Sequence, residues 1–251
     1  PDKRIFVYPG EAQLVPALAD LVASVIGDCL DRRGRCTVGL SGGSLVDFLT
    51  RGLAKSAIDW RRVTLFYCDE RLVPLDDPER THAQFAKSLL APGTGASAAR
   101  VLVVDASLAP EAAAKDYEEQ LRAAGILDDG PDLMLLGLGP DGHTCSLFPD
   151  HIALSEQRPG VAAVLDSPKP PPARVTCTLP LINRSGAVIF ALTGRGKAAA
   201  VARLLGKADS ADGDGCPLPP STRAPASLVR PSRGRLFFLL DSEAAAEYSA
   251  E

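Results

Sequence analysis

The sequence predicts an α/β protein built on a doubly wound, mostly parallel sheet with helices on both faces, and three observations carry that prediction. Short β-branched and apolar runs alternate with longer Ala- and Leu-rich helical stretches along most of the 251 residues, the order in which each strand is followed by a covering helix. Several runs, such as 187–192 (AVIFAL) and 235–239 (RLFFL), are almost continuously apolar, as strands covered on both faces must be. Turns rich in glycine or charge follow directly on those runs, where a strand must hand over to a helix.

Taken in order, the first strand is 5–8 (IFVY), and the Ala- and Leu-rich stretch 11–31 that follows reads as its helix. Residues 36–40 (CTVGL) form a second strand and 45–54 its helix; 63–68 (VTLFYC) and 101–104 (VLVV) are further strands separated by the Gly- and Ser-containing loop 91–99. The Ala- and Glu-rich stretch 110–124 is helical and leads into the strand 132–137 (DLMLLG). Residues 161–165 and 174–178 are strands on either side of 167–172 (SPKPPP), which is extended because consecutive prolines exclude helix. The strand 187–192, the helix 197–205 and the strand 235–239 complete the pattern. Between the last two, 207–227 is so rich in Asp, Gly, Pro and Ser that it reads as an exposed flexible loop.

This length suits one Rossmann-like domain over residues 1–251. Apolar residues make up 46% and charged residues 23%, ordinary values for a chain that folds on its own. A net charge of −4 gives no overall attraction to nucleic acid or to an anionic membrane, so any anionic ligand must be held by a local cluster of Arg and Lys. No run reaches about 18 apolar residues, and the start lacks a signal-peptide layout. The six cysteines, Cys29, Cys36, Cys68, Cys145, Cys177 and Cys216, include no C-x-x-C pair, which argues for reduced thiols rather than a zinc knuckle or a disulfide framework. A cytoplasmic, metal-free monomer is the expectation.

Ligands of open parallel sheets sit beyond the carboxyl ends of the strands, and four segments there carry chemistry. Ser41-Gly42-Gly43-Ser44 closes one strand and opens a helix; its glycines and free N–H groups suit a phosphate, and a tight turn with a serine helix cap is the alternative. Asp69-Glu70-Arg71 follows an apolar run, and such charges must be paired or solvated. Arg71 suits a two-pronged phosphate contact and Asp69 the sugar hydroxyls, against a structural Asp–Arg pair. In Thr193-Gly194-Arg195-Gly196-Lys197, Ala191 and Ala198 stand where a P-loop needs Gly and Ser or Thr. Lys197 remains a point charge for phosphate or a solvated lysine.

The fourth segment, 136–144 (LGLGPDGHT), matches G-x-G-x-x-G through Gly137, Gly139 and Gly142. Pro140 removes a donor from that cradle and Pro149 cuts the helix that should follow, so a dinucleotide site is disfavoured. Asp141 and His143 read better as a pair, in which the carboxylate orients an imidazole able to take a proton from water. His82 and His151 lie in irregular polar surroundings and read as solvated bystanders. Arg174, straight after the proline run, could aim its guanidinium into the cleft.

Together, GLSGGS (39–44), CDERLVP (68–74), LGLGPDGHTCSLFPDH (136–151), SPKPPPARVT (167–176) and TGRGKAA (193–199) resemble the glucosamine-6-phosphate isomerase/6-phosphogluconolactonase family. The resemblance implies hydrolysis of 6-phospho-D-glucono-1,5-lactone to 6-phospho-D-gluconate without metal or organic cofactor, the second step of the oxidative pentose phosphate pathway. It places the base on His143, its supporting carboxylate on Asp141, and substrate contacts on Ser41 to Ser44, Asp69, Arg71, Arg174 and Lys197. Isomerase members carry an acidic residue where this chain has Phe148 and lack an arginine in the place of Arg71, which favours the lactonase. A sugar-phosphate isomerase or deaminase, a non-catalytic sugar-phosphate binder and a nicotinamide-dependent dehydrogenase are the alternatives.

Overall fold

The computed structural model describes residues 2–206 and 221–248. Its first half runs β1 (Asp2–Tyr8), α1 (Glu11–Arg33), β2 (Cys36–Leu40), α2 (Ser44–Leu53), β3 (Val63–Tyr67), β4 (Asp69–Arg71), α3 (Thr81–Ala86), β5 (Arg100–Val101) and α4 (Pro110–Ala123). The second half runs α5 (Ile126–Asp129), β6 (Leu133–Leu136), β7 (Val161–Val164), β8 (Arg174–Cys177), α6 (Leu179–Ile182), β9 (Ala187–Leu192), α7 (Ala198–Leu205) and β10 (Arg235–Asp241). Seven strands form one parallel sheet in the order β1-β10-β9-β6-β2-β3-β5.

Alternate residues of the inner strands face opposite cores, as a period of two dictates. Leu133 and Leu135 of β6 join Leu14, Leu18 and Phe48 beneath α1 and α2, whereas Met134 and Leu136 join Tyr117, Leu121 and Val201 beneath α4 and α7. Contrary to the sequence expectation, α1 is long and apolar enough by length and composition to cross a membrane. Here Leu14, Leu18, Val22 and Ile26 are buried in the core instead. The helix ends at Gly34, whose left-handed φ of 72° lets its N–H reach Leu30 O at 2.9 Å.

The two halves of the sheet are tied together at its amino edge by Asp132, just before β6. One carboxylate oxygen accepts from Thr37 N at 2.8 Å and Thr37 Oγ1 at 2.9 Å, and the other from Arg33 at 2.6 Å. Cys29 and Cys36 lie beside it, but the carboxylate is already engaged by these donors. Asp132→Ala would leave the Thr37 N–H unpaired; we expect a loss of about 2–3 kcal/mol in denaturant unfolding, with ligand binding by the folded molecule unchanged because the ligand is expected at the opposite, carboxyl edge of the sheet.

Residues 161–165 and 174–178 depart from the expected single sheet. As β7 and β8 they pair antiparallel with β4 in a separate three-stranded sheet, in the order β4-β8-β7. An apolar run specifies a strand but not its partner; the chain leaves the main sheet after β3, and β4 offers a new edge. The proline run connects β7 and β8, and its Pro170–Pro171 peptide is cis. The expected loop 207–227 also divides. Residues 207–220, with Cys216, lie outside the described residues, whereas Pro225, Ala226 and Ser227 are buried in a 3-10 turn. The other five cysteines are buried free thiols.

Candidate active site

The strand order reverses at β2 and β6, adjacent parallel strands whose successors diverge to opposite sides. A crevice must open beyond their carboxyl ends, and a cleft of about 250 Å³ lies there. All four chemistry-bearing segments converge on it: Ser41 to Ser44 after β2, Asp69 and Arg71 on β4, Gly137 to His143 after β6, and Lys197 after β9. Lys169 and Arg174 complete its wall.

The turn after β2 is no serine cap. Gly43, at φ 72°, is the N-cap of α2 without a side-chain capping bond, and the buried Ser41 Oγ has no hydrogen-bond partner among the described residues. Nor do Asp69 and Arg71 pair with each other. Asp69 Oδ2 accepts from Ser146 Oγ at 2.8 Å, while Arg71 Nη1 donates to Glu79 O at 2.7 Å and leaves its buried Nε unpartnered. The register of β4 with β8 sets Arg71 directly opposite Arg174. Like charges so placed repel, and an anion between them relieves the repulsion. Lys197 is half-buried rather than solvated: Nζ donates to Leu138 O at 2.6 Å, and burial, then the charge of Lys169, push its pKa down.

His143 Nδ1 hydrogen-bonds Asp141 Oδ1, leaving Nε2 without a protein partner among the described residues. Burial lowers the imidazole pKa first, the Asp141 carboxylate opposes, Lys169 lowers it and Asp69 raises it; the net displacement is downward. Asp141 is pushed up by burial, but the contacts from His143 and the charge of Lys169 prevail and hold its carboxyl low. An imidazole kept neutral near pH 7 with its tautomer set by a carboxylate can accept a proton from water.

The glycine motif has been put to a different use from nucleotide binding. Gly139 N donates to His143 O at 2.8 Å and Gly142 N to Gly139 O at 2.9 Å, so both glycines spend their donors within the turn. A Cβ on Gly139 would collide with His143 Nδ1 and Cε1; glycine is there so that the imidazole can lie on the backbone. The end of the 207–227 stretch braces this turn, with Ala226 N donating to Gly142 O at 3.0 Å. Phe148 packs against the His143 ring at 4.9 Å between centroids and beneath the Arg174 guanidinium.

The other two histidines are not solvated bystanders. His82 Nδ1 pairs with Tyr67 Oη at 2.8 Å; His151 accepts Ala153 N–H on Nδ1 at 3.1 Å and pairs through Nε2 with Asp166 at 2.8 Å. Both hold chain segments together. Arg174 reaches the cleft wall, but Nε donates to Pro171 O at 3.0 Å and Nη2 to Lys169 O at 2.9 Å and Pro170 O at 3.1 Å. Sequence reasoning missed Lys169 altogether, since the proline run signalled only an extended backbone.

A part-buried imidazole, paired with a carboxylate and facing a small cleft lined by Arg71, Lys169, Arg174 and Lys197 at the switch point of a parallel sheet, defines an α/β protein equipped for acid–base chemistry on a small anionic substrate. Residues 9–238 match the family described as glucosamine-6-phosphate isomerases/6-phosphogluconolactonase. The 6-phosphogluconolactonase of Homo sapiens is 45% identical over 96% of this chain and 92% of its own length, and that of Rattus norvegicus 44% identical with the same coverage. The crystal structure of 6-phosphogluconolactonase from Leishmania guyanensis superposes with a TM-score of 0.82 at 25% identity over 100% of both chains. The chain therefore belongs to the glucosamine-6-phosphate isomerase/6-phosphogluconolactonase family.

Proposed function

We propose that this chain, acting as a single cytoplasmic domain and as a monomer, hydrolyses 6-phospho-D-glucono-1,5-lactone to 6-phospho-D-gluconate. The observation that carries the reading is His143, paired with Asp141, on the wall of a cleft that also carries Arg71, Lys169, Arg174 and Lys197. Ser41 to Ser44, Arg71 and Lys197 hold the phosphate, while Asp69 meets sugar hydroxyls; that binding energy presents the lactone carbonyl to a water beside His143. His143 Nε2 takes a proton as the water oxygen bonds to the carbonyl carbon. With the Gly139 and Gly142 N–H groups engaged and Pro140 offering none, the oxyanion is stabilised chiefly by cations of the cleft. Collapse breaks the bond to the ring oxygen, which receives the proton from the imidazolium. The new acid ionises, so each turnover releases one proton.

Phe148 speaks against isomerase chemistry, because an apolar ring against His143 stands where ring opening and amine chemistry would want a carboxylate. The test is proton release from freshly generated 6-phosphogluconolactone above its spontaneous hydrolysis; no acceleration by folded protein would overturn the reading. Removing the phosphate discards several charge-assisted hydrogen bonds, so glucono-1,5-lactone should show kcat/KM at least about 100-fold lower. Equal rates for the two lactones would show that the cleft does not read the phosphate. Arg71→Ala should raise KM for the phosphorylated lactone by about 10- to 100-fold with kcat little changed.

A further inference from the structure

Lys169 projects from the proline run into the catalytic pair. Its Nζ lies 3.3 Å from Asp141 Oδ1 and 3.1 Å from His143 Nδ1, nearer to the imidazole than a phosphate contact would require. Its backbone is held from several directions. Ser167 Oγ donates to Lys169 O at 2.8 Å, Lys169 N donates to Ser167 Oγ at 3.2 Å, and the buried Arg174 places Nη2 on the carbonyls of Lys169 and Pro170 and Nε on that of Pro171. A buried guanidinium committed to three consecutive carbonyls fixes the path of a short segment. The residue that this segment delivers is Lys169.

We infer that Lys169 is a positioning residue of the catalytic unit, its ammonium bridging to Asp141 and facing the Nδ1 edge of His143, and that Arg174 serves the reaction by holding Lys169 in place. The inference rests on His143 being the base. The ammonium donates to the carboxylate that orients the imidazole, which fixes Asp141 in turn. It also places a positive charge beside the ring that becomes positive when it takes a proton. An imidazolium formed there is a stronger acid and returns its proton to the departing ring oxygen more readily. The charges that act most strongly on His143 are Asp141 from the turn after β6, Asp69 from β4 and Lys169 from the proline run; Lys197 after β9 and Arg174 on β8 line the same cleft, and Phe148, packed against the ring, is uncharged. Lys169 is the cation in contact with the ring among the described residues, and its removal shifts the balance on the imidazole toward Asp141 and Asp69.

The experiment is the pH dependence of kcat and KM for Lys169→Met, Lys169→Arg and wild type on 6-phosphogluconolactone, with glucono-1,5-lactone as second substrate. The lysine side chain is 38% exposed, so the methionine variant should fold, and its unfolding curve checks this. We expect Lys169→Met to lose kcat on both lactones by about 10-fold or more. The acidic limb of its profile should move to higher pH, so that it keeps a several-fold smaller fraction of its pH 8 activity at pH 6 than wild type does. Lys169→Arg should restore the limb. A limb that stays in place in folded Lys169→Met would overturn the inference. So would an effect confined to KM for the phosphorylated lactone, which would make Lys169 a phosphate ligand. A wild-type profile with no acidic limb would instead remove His143 as the base.

Discussion

His143→Ala should lose about 10²–10⁴ in kcat on 6-phosphogluconolactone while KM changes little, because the variant removes a proton acceptor and leaves the cationic phosphate site intact. The sign of the pH dependence follows from the same residue. The neutral imidazole is the active form, and burial holds its pKa below the ordinary value of about 6.5. Wild-type activity should therefore persist below pH 6.5 and fall only when His143 is protonated at lower pH. Asp141→Asn should cost less than His143→Ala, since the ring keeps its place on the Gly139 backbone but loses the carboxylate that stabilises its cationic form. Wild-type turnover by His143→Ala, measured as proton release above background, would take the base role away from this residue.

Gly139→Ala should be nearly as damaging as deletion of the imidazole, although the substitution adds a single methyl group and touches no substrate. The methyl carbon would lie 1.9 Å from His143 Nδ1, 2.1 Å from Cε1 and 2.5 Å from Asp141 Oδ1, so the pair must swing away from the turn. Displacement of a reacting group by about 1 Å costs on the order of 10²-fold, and this clash demands more. We expect a loss of at least that size in kcat, with binding of the product phosphogluconate retained to within a few-fold. Retained kcat in Gly139→Ala would show that the imidazole acts from a position other than the one seen here.

The main sheet was legible in the sequence because parallel strands buried on both faces announce themselves as continuous apolar runs, and 36–40, 187–192 and 235–239 appear where expected with ends shifted by two residues at most. The site segments were legible for a related reason. Glycines and charges placed directly after such runs have few structural uses, and GLSGG, CDER and GPDGH each proved to border the cleft. Short or polar elements were not legible. The helix Thr81–Ala86 carries too few apolar positions to show a period, and the strand Asp69–Arg71 is three charged residues that become a strand only when β8 lies alongside.

What the sequence by itself determined was the order of strands and helices, the turns at the carboxyl ends, and the identity of an imidazole and a carboxylate two positions apart that could pair locally. Tertiary structure alone decided which distant groups meet them. Lys169 reaches His143 across 26 positions, Asp69 meets Ser146 across 77, and Arg174 turns to the carbonyls of the proline run. The physical reason is one of range. Periodicity and turn chemistry act between neighbours in the chain and are written in local residue order, whereas the partner of a charged side chain depends on which strands become adjacent, and that is settled only when the whole sheet closes its core.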